Sequence, residues 1–162
     1  MGNMTDLRAL SSIYPDFSND DGHGDKGTAH SYIEIYEEIL RPFRDCETVY
    51  EIGVAYGLSL RMWREYFTKA RIFGIDTDPK FYNVDRITVF RADGTKFDPG
   101  FPLDVVIDDG SHKGHEQSAS FDLLWPRCTG IYIIEDLKKP FRDFEYFHGG
   151  KREDDGIAWK LK

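Results

Sequence analysis

The sequence predicts a doubly wound α/β fold built on a mostly parallel sheet. Three observations carry that expectation. Short β-rich runs alternate with helix-compatible runs from Thr48 to Ile134, which is the signature of strands joined by helices on both faces. The run Thr48-Val49-Tyr50 leads into Glu51-x-Gly53-x-x-x-Gly57 and then into a helical pattern, the strand, glycine turn and helix order that lets backbone approach a ligand. Carboxylates recur where the strand-like runs stop, at Glu51, Asp76, Asp93, Asp108/Asp109 and Glu135/Asp136. Ligands of open parallel sheets sit beyond those carboxyl ends.

Composition limits the function classes. The 162 residues are enough for one domain with its own core, and a hydrophobic content of 40% is that of a globular chain. One domain over 1–162 is expected, with an N-terminal segment and loop (1–27), a core (28–137) and a terminal hairpin (138–162). The 29 acidic residues outnumber the 21 basic ones, for a net charge of −8. That balance argues against nucleic acid as a partner, because phosphate binding needs a cationic face. Acids gathered at turns suit a divalent cation better. No apolar run is long enough for a membrane span, and MGNMTDLRAL lacks the apolar stretch of a secretory leader. Cys46 and Cys128 form no CxxC pair and read as reduced thiols of a cytoplasmic protein.

Taken in order, Leu7, Leu10, Ile13 and Tyr14 predict a short amphipathic helix closed by Pro15. Ser18 to Gly27 is a polar, glycine-rich loop. Thr28 to Arg41 predicts a helix with Tyr32, Ile35, Tyr36, Ile39 and Leu40 on one face, Thr28 as N-cap and Pro42 as its stop. Thr48 to Ile52 is the first strand. Leu58 to Phe67 is the first crossover helix, with Leu60, Trp63 and Phe67 facing the core. Arg71 to Ile75 is the second strand, and Asp76 at its end stands where a carboxylate can accept from both hydroxyls of a ribose. Asp76 also fits a plain turn before Pro79. Arg86 to Phe90, Leu103 to Ile107 and Gly130 to Ile134 are the next three strands. Gly114 to Trp125 is the helix between the last two, stopped by Pro126. Asp143 to Phe147 and Gly156 to Leu161 predict a hairpin around HGGKREDDG.

The runs DKGTAHSYIEIY, VYEIGVAYGLSLRMWREYF, IFGIDTDP, DVVIDDGSH and GIYIIEDL, in that order, resemble class I S-adenosylmethionine-dependent methyltransferases. More narrowly they resemble the metal-dependent O-methyltransferases of macrolide and aminocoumarin sugar biosynthesis. The paired IDDGSH and IEDL runs are the specific part, and the glycine loop marks only the class. The resemblance implies a Rossmann-like seven-stranded sheet whose last two strands form a hairpin, in a compact version. It implies that Glu51, Gly53 and Gly57 line the methionine part of the cofactor, that Asp76 binds the ribose and that Asp93 lies near the adenine. Ala55, Tyr56, Thr77, Gly94 and Asp108 flank these as further cofactor residues. Lys26, Thr28 and His30 match a leading motif assigned to the same pocket. Asp109, Glu135 and Asp136 would bind Mg²⁺, with His112 as the catalytic base beside Asp109. Two connections are shorter than the family's, Gly94 to Pro102 and Lys138 to Arg142.

The chemistry so implied is methyl transfer to a hydroxyl of a sugar, polyol or related small molecule. Hard oxygen ligands suit Mg²⁺. Neighbouring strand ends lie about 4.8 Å apart, so one ion can bridge the fourth and fifth. Two other readings stay open: a catechol-type methyltransferase, and a cofactor-binding module without catalysis. A homo-oligomer is compatible with either. Each motif taken alone also has a structural explanation, with Asp109 or Ser111 as a helix cap and Glu135-Asp136 as a solvated strand end.

Overall fold

The computed structural model describes residues 6–13, 32–137, 151–152 and 156–162. Its centre is a mixed, mostly parallel sheet. Five strands run parallel: β1 (Thr48–Ile52), β2 (Arg71–Asp76), β3 (Ile87–Arg91), β4 (Leu103–Asp108) and β5 (Cys128–Ile134). A sixth, β7 (Ala158–Leu161), pairs antiparallel with β5, and a two-residue strand, β6 (Lys151–Arg152), extends that edge. The order across the sheet is β3-β2-β1-β4-β5-β7-β6.

The strands are apolar on both faces, as a sheet covered on both sides requires. On one face Val49, Ile72, Val105, Ile107, Ile131 and Ile133 meet α1 (Leu7–Ile13), α2 (Tyr32–Leu40) and α3 (Leu58–Tyr66). On the other, Tyr50, Phe73, Val106, Tyr132 and Ile134 meet Phe121 and Leu124 of α4 (Gly114–Leu124). Leu60, Trp63 and Phe67 are fully buried, as their spacing predicts. In α1, Leu7 and Leu10 are buried, whereas Ile13 is 64% exposed.

Several boundaries differ from expectation. β5 begins at Cys128 rather than Gly130, because a register shift between Leu103 and Val105 brings Leu103 opposite Cys128. Pro42 does not simply end α2; it starts a 3-10 turn, Arg41–Phe43, where its missing N–H costs nothing. Lys151–Arg152, inside the stretch expected to be the hairpin turn, form the short strand β6 that pairs with β7. The expected strand Asp143 to Phe147 and the connection Lys138 to Arg142 lie outside the described residues.

The β3–β4 crossover carries no helix. Residues 92–102 run back over the sheet as an irregular chain, and aromatic rings take the place of a helix. Phe97 lies against Phe90, with ring centroids 4.8 Å apart, and Phe101 against Phe73 at 4.7 Å. The β2–β3 connection also lacks a helix. There Arg86, in the left-handed region at φ 59°, donates to the carbonyls of Arg64, Phe67 and Ala70 at 2.7–3.0 Å. One guanidinium thus satisfies carbonyls that the end of α3 leaves open.

Candidate functional site

The carboxyl ends of the strands are in register. Ile52 pairs with Asp108, and Asp108 with Ile134. Backbone bonding continues one residue further, with Asp109 N–H donating to Ile52 O at 2.9 Å and Glu135 N–H to Asp108 O at 3.0 Å. Side chains alternate faces with a period of two. Glu51, Asp109 and Glu135 therefore point to the side of α2 and α3, and Asp108 points to the side of α4.

Glu51 is fully buried and accepts from Ser59 Oγ at 2.5 Å and from the Trp63 indole N–H, both on α3. Gly53 (φ 91°) and Gly57 (φ 72°) both use the left-handed region that glycine tolerates. Their immediate reason is internal. A Cβ on Gly53 would meet the Asp109 carbonyl oxygen at 2.0 Å, and one on Gly57 would meet the Phe81 ring at 2.3 Å. Protein segments thus approach closely at both glycines. Past Gly57, α3 begins without a side-chain cap, which leaves N–H groups for an anionic ligand group.

Asp76 joins this loop to β2. Its Oδ2 accepts from the N–H groups of Val54 (2.9 Å) and Ala55 (3.0 Å), and its Oδ1 from Asp78 N–H (2.8 Å). The expected turn role is met, and a carboxylate offers about four acceptor positions in all. Ala55, Tyr56 and Thr77 are exposed around it. Asp93 folds back on its own turn. Lys96 Nζ and the Thr95 hydroxyl and N–H hold its carboxyl down at about 2. Gly94 packs over Ile52. Lys26, Thr28 and His30 lie outside the described residues.

Asp108 and Asp109 follow one another and differ completely. Asp108 is 2% exposed, and burial, with the Asp109 charge adding to it, pushes its carboxyl up to about 7. Asp109 reaches a different group. A ligating atom each from Asp109, His112 and Asp136 lie within 4.8 Å of one another. His112 Nε2 is 3.6 Å from Asp136 Oδ2, and His112 Nδ1 is buried without a hydrogen-bond partner among the described residues. His112 (φ 55°) and Asp136 (φ 52°) are both left-handed, as is Ala55 (φ 43°) in the glycine loop. Three of the four non-glycine residues with positive φ among those described therefore sit on this edge. Such backbone strain gathers where a site holds it in place.

The group contains two of the expected ligands, Asp109 and Asp136, together with His112, the expected base. Glu135 is buried, and its carboxylate accepts from the Tyr36 hydroxyl on α2. Tyr32 on the same helix donates to Asp136 Oδ1 at 2.9 Å. Burial beside these acids raises both phenols, so each stays a protonated donor. Two carboxylates and an imidazole form a donor set that fits a divalent cation. The sequence reading took Tyr32 and Tyr36 only as an apolar helix face. Their hydroxyls were the available signal, since a buried phenol needs an acceptor. The cysteines are far from this chemistry. Burial pushes Cys46 to about 12 and Cys128 to about 11.

No family model matches the chain. It is 37% identical over 153 residues to 8-demethyl-8-alpha-L-rhamnosyl tetracenomycin-C 2'-O-methyltransferase of Streptomyces olivaceus, covering 82% of this chain and 39% of that protein. It is 35% identical over 153 residues to mycinamicin VI 2''-O-methyltransferase of Micromonospora griseorubida, covering 82% of this chain and 36% of that protein. The structure of MycE methyltransferase from the mycinamycin biosynthetic pathway, in complex with Mg, SAH and mycinamycin VI, superimposes with a TM-score of 0.78 at 26% identity, over 99% of this chain and 55% of that one. The chain thus spans about two fifths of the length of the curated relatives it matches. Among the described residues no helix is long and apolar enough to cross a membrane.

Proposed function

The chain belongs to the sugar O-methyltransferase family of macrolide and polyketide biosynthesis, within the class I S-adenosylmethionine-dependent methyltransferases, and on that premise we propose that it transfers a methyl group to a sugar hydroxyl of a glycosylated natural product with the help of Mg²⁺. The observation that carries this reading is the convergence of Asp109, His112 and Asp136 at the ends of β4 and β5, one strand from the glycine loop. The strand order with antiparallel β7 supports the seven-stranded class I sheet, folded as one domain.

Glu51, Gly53, Ala55, Tyr56 and Gly57 form the cofactor loop in this reading, with Asp76 and Thr77 at the ribose end and Asp93, Gly94 and Asp108 bordering the adenine side. The uncapped start of α3 offers N–H groups to the cofactor carboxylate. S-adenosylmethionine supplies a methyl group already activated by its sulfonium. A bound divalent cation supplies charge that lowers the pKa of the acceptor hydroxyl. Asp109 and Asp136 hold that cation, with Glu135 fixed behind them by Tyr36. His112 takes the hydroxyl proton at Nε2, and Asp136 Oδ2 nearby stabilises the imidazolium that results.

A second reading follows from the three-residue group itself, in which His112 is the third ligand of the cation. The test of the function is methyl transfer from labelled S-adenosylmethionine to rhamnosylated or macrolide acceptors, with Mg²⁺ and with EDTA. Transfer that disappears in EDTA and returns with Mg²⁺ is the expected result. Cofactor binding without transfer to any glycosylated, polyol or catechol acceptor would leave a binding module and refute the enzyme.

A further inference from the structure

Tyr32 and Tyr36 lie one turn apart on α2, so both face the end of β5. Both are buried, and each spends its hydroxyl on an acid of the Glu135-Asp136 pair. The division of oxygens at Asp136 is specific. Oδ1 takes the Tyr32 hydrogen bond, and Oδ2 is the oxygen that faces His112 Nε2. Holding one oxygen of a carboxylate fixes the direction of the other. The Asp136 backbone is left-handed, so its side chain is aimed by a conformation that an outside contact must help to keep. A neutral phenol suits this task, because it orients an acid without competing for the cation as a ligand of opposite charge would.

We propose that Tyr32 and Tyr36 are positioning residues of the cation site, setting which carboxylate oxygens of the Glu135-Asp136 pair are presented, and that cation binding is thereby linked to the docking of α2 on the sheet. This rests on the reading of the acids at the ends of β4 and β5, Asp109 and Asp136 among them, as a cation site. Linkage is reciprocal: a cation that prefers the oriented acids also holds α2 in place. Partners that orient metal ligands from behind commonly govern affinity by 10- to 100-fold.

The test uses the whole chain stripped with EDTA, without cofactor or acceptor, and Mn²⁺ as the probe. Mn²⁺ affinity is measured by electron paramagnetic resonance for the wild type, Tyr32→Phe and Tyr36→Phe. Amide hydrogen exchange of α2 is followed with and without Mn²⁺. The expected result is a loss of affinity of about tenfold or more in Tyr32→Phe, a smaller loss in Tyr36→Phe, and slower exchange of α2 amides in the wild type when Mn²⁺ is added. A purely structural role would lower thermal stability and leave Mn²⁺ affinity unmoved, which overturns the inference. Unchanged α2 exchange in the wild type overturns it without any variant. A wild type that binds no Mn²⁺ overturns the cation site, and this inference with it. Equal binding by all three proteins overturns the inference alone.

Discussion

Replacing Gly53 by alanine tests whether the glycine loop is shaped by protein packing. The added Cβ would stand 2.0 Å from the Asp109 carbonyl oxygen, 2.7 Å from its carbon and 3.2 Å from Gly110 Cα. Carbon and oxygen rest about 3.3 Å apart, so the ends of β1 and β4 must part by more than an ångström. The neighbouring bond from Asp109 N–H to Ile52 O, at 2.9 Å, resists that movement. Overpacking of this kind costs about 1–3 kcal/mol. A Cβ in the left-handed region costs about 1–2 kcal/mol more. The lower entropy of the unfolded alanine chain returns about 0.4–1 kcal/mol. The net loss is about 1–5 kcal/mol. Gly100 is the control, because its φ is also positive (78°) and, its chain neighbours aside, no atom of the described residues lies within 4 Å of its added Cβ. Gly100→Ala should cost about 1 kcal/mol, from backbone strain alone. Urea unfolding of both variants gives the comparison, at unchanged slope. If Gly53→Ala is no less stable than Gly100→Ala, the packing argument is wrong and the glycine serves a ligand only.

Asp76→Ala strands three backbone N–H groups and should cost about 1–3 kcal/mol in urea unfolding. It should also weaken S-adenosylhomocysteine binding by calorimetry, and unchanged affinity removes Asp76 from the cofactor site. For Asp108, the folded value of about 7 lies above the unfolded value of about 3.9, so the folded state keeps an extra proton between those limits. Stability relative to Asp108→Asn should therefore be greatest below pH 4 and fall as pH rises to 7, by up to about 4 kcal/mol in metal-free protein. A pH-independent difference contradicts the burial argument. His112→Ala should keep cofactor and Mn²⁺ binding while turnover falls by roughly 10²–10⁴-fold. Loss of Mn²⁺ together with turnover would instead make it a ligand, and an unchanged rate would exclude it as the base.

The ease of reading the chain varied by position, for physical reasons. β1, β2, β4 and α3 were legible because buried strands and helices repeat apolar residues with their own periods. Asp109 and Asp136 were legible because acids at strand ends exceed what turns require. The facing of Asp108 away from Asp109 follows from the two-residue pleat and could have been worked out. That Tyr36 takes Glu135 and Tyr32 takes Asp136 was not legible, because nothing local marks which acid a distant tyrosine will reach. Tyr32 and Tyr36 stand about 100 residues before their acceptors, and only the fold brings them together. The glycines at 53 and 57 were legible as a turn, while their packing against Asp109 and Phe81 depends on contacts that only the fold makes.

The Arg86 contacts have a consequence for how the sheet opens. β3 is the outermost parallel strand and would ordinarily fray alone at low free energy. Its first turn is instead fastened by three hydrogen bonds to the end of α3, whose other end is Gly57. Peeling β3 away therefore releases the helix that closes the glycine loop. Edge strand, helix and loop form one cooperative unit, and the mobility available to the loop is set about thirty residues away in sequence, at an arginine on the opposite end of the helix.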